Sequence, residues 1–375
     1  MPLHWFSSEV FLLFLLVCYS SATAGAAGGR KESREVELFK QGETPVLAAG
    51  EASESSSLYG SVSSFLSHSL LDVNGVLVAL AVGAHGNDDS NTRLELWAKH
   101  NAYGADEKLK EDATWEGKAW ETQRVTKRPE AEGYRVSPLG PKAVVKGNKI
   151  HLLLQKRRVT TRASLSEVHW GPALIVGEVQ GSVEERGERR VSWGDPRPLD
   201  SMLAGQMRQQ SWEGLGPARM SRGVAVGAAT VLFPLVGFLN DGSGRRACTV
   251  MYSEDNGDNW RLPAAPLVAE DCDSATLLEW AGKLFMATSG FSSQWRRRVF
   301  ESGDGGKTWR EAAGPVLRLL GDAYALTTVH VASDLMTATI AGRSVLLYTT
   351  LSEHSVGRQT HHFLHLWLSD GARTH

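Results

Sequence analysis

The chain has 375 residues and 42% hydrophobic content, enough to bury one large core or two ordinary ones. Its 40 Lys and Arg against 42 Asp and Glu leave a formal charge of −2, which supplies no bulk field for nucleic acid or a membrane surface. Basic clusters at Lys156–Arg158, Arg189–Arg190 and Arg296–Arg298 lack an aromatic platform and read as solvated loop or edge-strand decoration, so no nucleic-acid partner is expected.

The N-terminus reads as an address label. Val10–Cys18, VFLLFLLVC, is too short to span a bilayer but suits the apolar region of a signal peptide, and Ala22-Thr23-Ala24 supplies small residues for cleavage. The expectation is a signal peptide over 1–24 and a secreted or cell-surface product, although the segment ahead of the apolar run holds only His4 and Glu9 as ionisable side chains. Neither a membrane span after signal removal nor an apolar anchoring tail is expected, because the C-terminal WLSDGARTH is polar. Residues 25–57 read as an extended low-complexity leader with one β-like stretch, Val36–Phe39.

From 58 to 375 the patterning is that of strands. Apolar runs follow a turn glycine in Asn74–Ala81, Gly147–Leu154, Gly282–Ser289 and Gly342–Thr349, and read as inner strands. The one helical candidate, Pro198–Gln209, is short. Two segments repeat a spelling: YSEDNGDNW, with Ser253, Asp255, Gly257 and Trp260, and ESGDGGKTW, with Ser302, Asp304, Gly306, Thr308 and Trp309. An Asp two residues after a Ser bonds local backbone, and the Gly two further on tolerates positive φ, so each reads as a structural turn between strands with its Trp as cover. A weaker echo lies at Ala113–Trp120. Strands returning with a repeat of roughly 50 residues and little helical periodicity predict blades of a β-propeller.

After signal removal two cysteines remain, Cys248 and Cys272, either paired or present as two buried thiols. His361, His362 and His365 lack a metal-protease pattern, and the polar loop His85–Asn91 reads as a hairpin rather than a calcium site. No metal and no cofactor are expected, since zinc, phosphate-loop and dinucleotide fingerprints are missing.

The order of REVELFK (Arg34–Lys40), DVNGVLVALA (Asp72–Ala81), AWETQ (Ala119–Gln123), VVKGNKIHLLL (Val144–Leu154), VSWGDP (Val191–Pro196), the two turns, LLEWAGKLF (Leu277–Phe285) and LHLWLSD (Leu364–Asp370) resembles the trans-sialidase family of trypanosome surface proteins. The resemblance implies an all-β fold, a six-bladed sialidase-type β-propeller, incomplete here, with the last blade and the family's lectin-like domain missing. In the family three arginines hold the sialic acid carboxylate, matching a planar anion with guanidinium forks. The resemblance places them at Leu66, Ser289 and Phe363, so all three are lost. The Glu that assists the family's Tyr nucleophile falls at Ser274, and the Tyr itself falls beyond residue 375. The acid/base Asp falls in the loop His85–Asn91, at Asp88 or Asp89, with Asp89 the candidate, and a further Asp reads as Gly140 beside Pro141.

Leaving one partner of a buried charged pair unmatched costs about 2–5 kcal/mol, so three lost arginines remove most of what orients a sialoside. The expectation is a catalytically silent relative that meets a host glycan, matrix component or cell-surface protein. Two rivals stand beside it: an active exo-sialidase or trans-sialidase, and a truncated, poorly folded remnant whose open ring self-associates through exposed strand edges.

Overall fold

A computed structural model of the chain describes residues 37–40, 62–85, 93–102, 120–125, 134–135, 142–162, 165–181, 189–218, 221–242, 244–264, 269–289, 298–313, 335–340, 342–356 and 359–369. Within them the apolar runs and their turns become antiparallel strands, grouped in chain order into five sheets. Blade I holds β1 (Ser64–Val73), β2 (Val76–His85), β3 (Arg93–Ala102) and β4 (Glu121–Arg124). Blade II holds β5 (Tyr134–Arg135), β6 (Lys142–Lys146), β7 (Lys149–Arg162), β8 (Leu165–Gln180), β9 (Arg190–Trp193) and β10 (Arg197–Pro198). The helix α1 (Asp200–Gln209) leads into blade III, made of β11 (Trp212–Pro217), β12 (Val224–Val226), β13 (Thr230–Leu239), β14 (Arg246–Ser253) and β15 (Ala269–Glu270). Blade IV holds β16 (Ser274–Trp280), β17 (Lys283–Ser289), β18 (Arg298–Ser302) and β19 (Arg310–Glu311). Blade V holds β20 (Leu335–Ile340), β21 (Arg343–Val356) and β22 (Gln359–Ser369).

Each blade is a meander because short turns join its first strands. Asn74 and Gly75 both take positive φ, 50° and 81°, and Ala281 and Gly282 repeat this at 50° and 73°. Two successive left-handed residues suit the right-handed strand twist of a tight hairpin. The blades then pack face to face. One apolar cluster joins Val78, Leu80 and Leu96 of blade I to Ile150, Leu152 and Ile175 of blade II. A second joins Leu153 and Leu174 of blade II to Phe233, Leu235 and Met251 of blade III. A third joins Leu232 and Val250 of blade III to Leu277 and Met286 of blade IV, and a fourth reaches Leu346 of blade V. The architecture is therefore that of a β-propeller, with five blades among the described residues.

Successive contacts run from β1 to β6, β12, β16 and β20, so these strands form the inner ring. The glycine-led runs expected on the inside instead form β2, β7, β17 and β21, one place further out. They are continuously apolar because neighbouring blades cover both of their faces, as the unbroken burial of β2 shows. The helix starts two residues later than expected, at Asp200. Within the leader, Glu37–Lys40 is described and takes no strand pairing. There Phe39 packs on Phe65 of blade I with ring centroids 5.1 Å apart, beneath the Lys99 ammonium at 5.5 Å. Cys248 and Cys272 form a disulfide with Cα atoms 5.4 Å apart, which settles the open alternative in favour of pairing and ties β14 to the entry of blade IV.

Candidate functional site

The two repeated turns consume their own polar groups. Ser253 donates its hydroxyl to Asp255 at 2.7 Å and accepts the Gly257 amide at 2.9 Å, while Asp255 also accepts the Asn259 amide and side-chain amide at 2.8 and 2.7 Å. In the second turn Ser302 donates to Asp304 at 2.8 Å and accepts the Gly306 amide at 3.0 Å. Asp304 further accepts the amides of Lys307 and Thr308, each at 3.0 Å, and the Thr308 hydroxyl. Trp260 and Trp309 close each turn by donating Nε1 to the carbonyls of Gly257 and Gly306, both at 2.9 Å. Partial burial pushes both carboxyls up, but the accepted hydrogen bonds outweigh it and hold each at about 2. A carboxylate so occupied is a structural anchor, with nothing left for catalysis.

The positions that the family resemblance assigns to sialoside chemistry lie on the other rim. The turns end β14 and β18, the third strands of blades III and IV, whereas Leu66 and Ser274 lie near the starts of β1 and β16. Third strands run parallel to first strands, so these are opposite faces of the propeller. Ser274 pairs with Ser289 across β16 and β17, and Leu66 pairs with Val82 across β1 and β2. Ser289 and Val82 are each the seventh residue of the second strand of their blade, which puts Ser274 and Leu66 at one level in blades IV and I. The fold thus brings the expected Glu and Arg positions together as a serine pair. Phe363 does not join them at that level. The seventh residue of β21 is Thr349, whereas Phe363 pairs with Ser352 three residues, roughly 10 Å, further along a hairpin that outruns β20. Asp88, Asp89 and Gly140 lie outside the described residues, as do the signal segment 1–24 and all of the Ala113–Trp120 echo except its Trp.

One charged group on this rim escaped the sequence reading. His85, at the end of β2, bonds Glu95 of β3 through Nε2 at 2.9 Å, and Arg124 of β4 approaches the same carboxylate oxygen at 3.7 Å. His85 and Glu95 are both buried, and Arg124 lies over the Trp97 ring at 5.2 Å. In the chain His85 is followed three and four residues later by Asp88 and Asp89, outside the described residues. The alternation in RLELWAKH puts Glu95 and Trp97 on one face, but nothing in that pattern shows the face to be covered. Among the described residues no group of three or more His, Cys, Asp and Glu converges as metal ligands would.

Residues 67–375 match the model of the BNR repeat-like domain. The sialidase 85-1.1 of Trypanosoma cruzi is 28% identical over 370 residues, covering 93% of this chain and 46% of the relative. A second T. cruzi sialidase is 29% identical over 311 residues, covering 79% of this chain and 24% of the relative. The chain therefore spans about half the length of the first and about a quarter of the second. A Trypanosoma rangeli sialidase solved with the inhibitor DANA superposes with a TM-score of 0.65 at 26% identity, over 91% of this chain and 52% of its own. The Hadza microbial sialidase Hz136 superposes at 0.54 with 17% identity over 82% of this chain and 56% of its own, a likeness of fold alone.

Proposed function

Because this chain belongs to the BNR repeat-like family and to the sialidase and trans-sialidase superfamily, we propose that it is a catalytically silent, secreted or surface-exposed member that meets host glycans or glycosylated surface proteins. The observation that carries the reading is the Ser274–Ser289 pair across the first two strands of blade IV. A sialoside needs a guanidinium there to hold its carboxylate and a carboxylate to activate the nucleophile. Two serines supply neither charge, and Leu66 offers no guanidinium at the same level of blade I. The fold can persist without that chemistry, since its stability rests on blade seams and on turns at the opposite rim. No helix among the described residues is long and apolar enough to cross a membrane, and the secretory route rests on the N-terminal segment.

The test is to express residues 25–375, incubate them with a fluorogenic sialoside and with a sialylated donor plus a lactose acceptor, and print a glycan array in parallel. The expected result is no turnover above a buffer blank together with saturable binding to a subset of glycans. Hydrolysis or transfer above background would restore the active sialidase reading and remove this one.

A further inference from the structure

Blade II contains a buried imidazole that the features described so far do not use. His151, in β7, is 1% exposed and neither ring nitrogen has a hydrogen-bond partner. It lies where the first repeated turn crosses from blade III, so close that a Cβ on Gly257 would come within 2.5 Å of its ring. The next seam solves the same packing problem with an apolar side chain. There the second turn crosses from blade IV, and a Cβ on Gly306 would meet Leu232 of β13 at 2.4 Å. Register supports the equivalence: His151 is flanked by Val144 of β6 and Val176 of β8, and Leu232 by Val224 of β12 and Tyr252 of β14. An ionisable ring thus occupies a hydrocarbon position.

The rim of this seam is charged and reachable by water. Lys149 precedes His151 by two residues on β7, Glu178 faces Lys149 from β8, and Arg197 and Asp258 approach from β10 and the turn. The Arg197 guanidinium donates to the carbonyls of Gly257 and Asp258 at 2.6 and 3.1 Å. Beside it opens a cleft of about 340 Å³ lined by Lys149, Glu178, Arg197, Asn256 and Asp258 among others.

We propose that the seam between blades II and III is an acid-operated latch, in which protonation of His151 frees the turn Ser253–Trp260 from β7 while the seam between blades III and IV stays closed. A second buried N–H and a full charge cannot be accommodated against Gly257, whereas release of the turn gives the ring water. Burial above all, helped by the like charges of Lys149 and Arg197 and opposed by Asp258, holds the closed-state imidazole at about 4 against an ordinary 6.5. A lowered imidazole pKa means that the closed form is favoured above 6.5 and loses ground as the pH falls from 6.5 towards 4. With an open-state value of 6.5, the closed-to-open ratio falls about twenty-fold between pH 7 and pH 5. The turn carboxylates, held at about 2, do not titrate in this window.

Hydrogen exchange read by mass spectrometry on the full chain tests this at pH 7 and pH 5, after correction for the intrinsic exchange rate. Protection of the peptide 252–262 is expected to fall about twenty-fold while that of 301–310 holds. The variant His151→Leu should remove the difference, and Leu232→His should transfer acid sensitivity to the second turn. Equal loss at both turns in the native chain, or an undiminished loss in His151→Leu, would overturn the proposal. Should His151→Leu fail to fold, the native comparison of the two turns and the Leu232→His result decide the matter by themselves.

Discussion

The turn glycines differ in a way that can be measured. Gly305 and Gly306 are neighbours, both left-handed, with φ of 76° and 93°. An alanine at either pays for the conformation, about 1–2 kcal/mol. Only Gly306 also faces the neighbouring blade, because its Cβ would stand 2.4 Å from Leu232 Cδ2 and 3.7 Å from Leu284 Cδ1, whereas nothing lies within 4 Å of a Cβ on Gly305. Leu232 is fully buried between blades III and IV, so its methyl cannot withdraw without disturbing the seam. Overpacking of that kind adds about 1–3 kcal/mol. Gly306→Ala should therefore cost about 2–5 kcal/mol and Gly305→Ala about 1–2. With an unfolding entropy of about 2.1 cal/mol/K per residue over the roughly 230 described residues, each kcal/mol lowers Tm by about 2 °C. The two variants should thus differ by about 2–6 °C in calorimetric melts at pH 7 under one scan rate. Equal losses, or a larger loss for Gly305→Ala, would refute the claim that these turns weld one blade to the next.

Two other expectations follow from the same geometry. The Cys248–Cys272 bridge closes a sequence separation of 24 residues, a loop for which the chain-entropy model gives about 3.5 kcal/mol, so reduction should lower the urea midpoint of unfolding, and an unchanged midpoint would show that the bridge restrains little in the unfolded chain. Asp304, held near 2 by its hydrogen bonds against the opposing push of burial, stabilises the fold fully above its ordinary 3.8 and loses that contribution as the pH falls towards 2. The limiting value of about 2.5 kcal/mol shrinks to about 1 kcal/mol once solvent screening of this exposed residue is counted. Asp304→Asn should accordingly flatten the acid limb of a pH–stability curve, and a variant that keeps the full native slope below pH 4 would count against an ion-specific role.

Local spelling carried the parts of this protein that depend on local physics. The Ser-x-Asp-x-Gly turns were legible because their hydrogen bonds close within five residues, and the glycine-led apolar runs were legible as strands because burial on both faces demands continuous hydrophobicity. The place of those runs within each blade was not legible, since an inner and a second strand present the same pattern and only contacts between β1, β6, β12, β16 and β20 distinguish them. Cysteine pairing, the buried contact of His85 with Glu95 and the apolar surroundings of His151 each join residues through space, and no periodicity encodes which face a neighbouring blade will cover. Residue identities alone show that Leu66, Ser274 and Ser289 carry no charge. Tertiary structure decided that Ser274 and Ser289 stand opposite one another with Leu66 at their level, and that Phe363 stands further out, because strand register is set by how the blades stack.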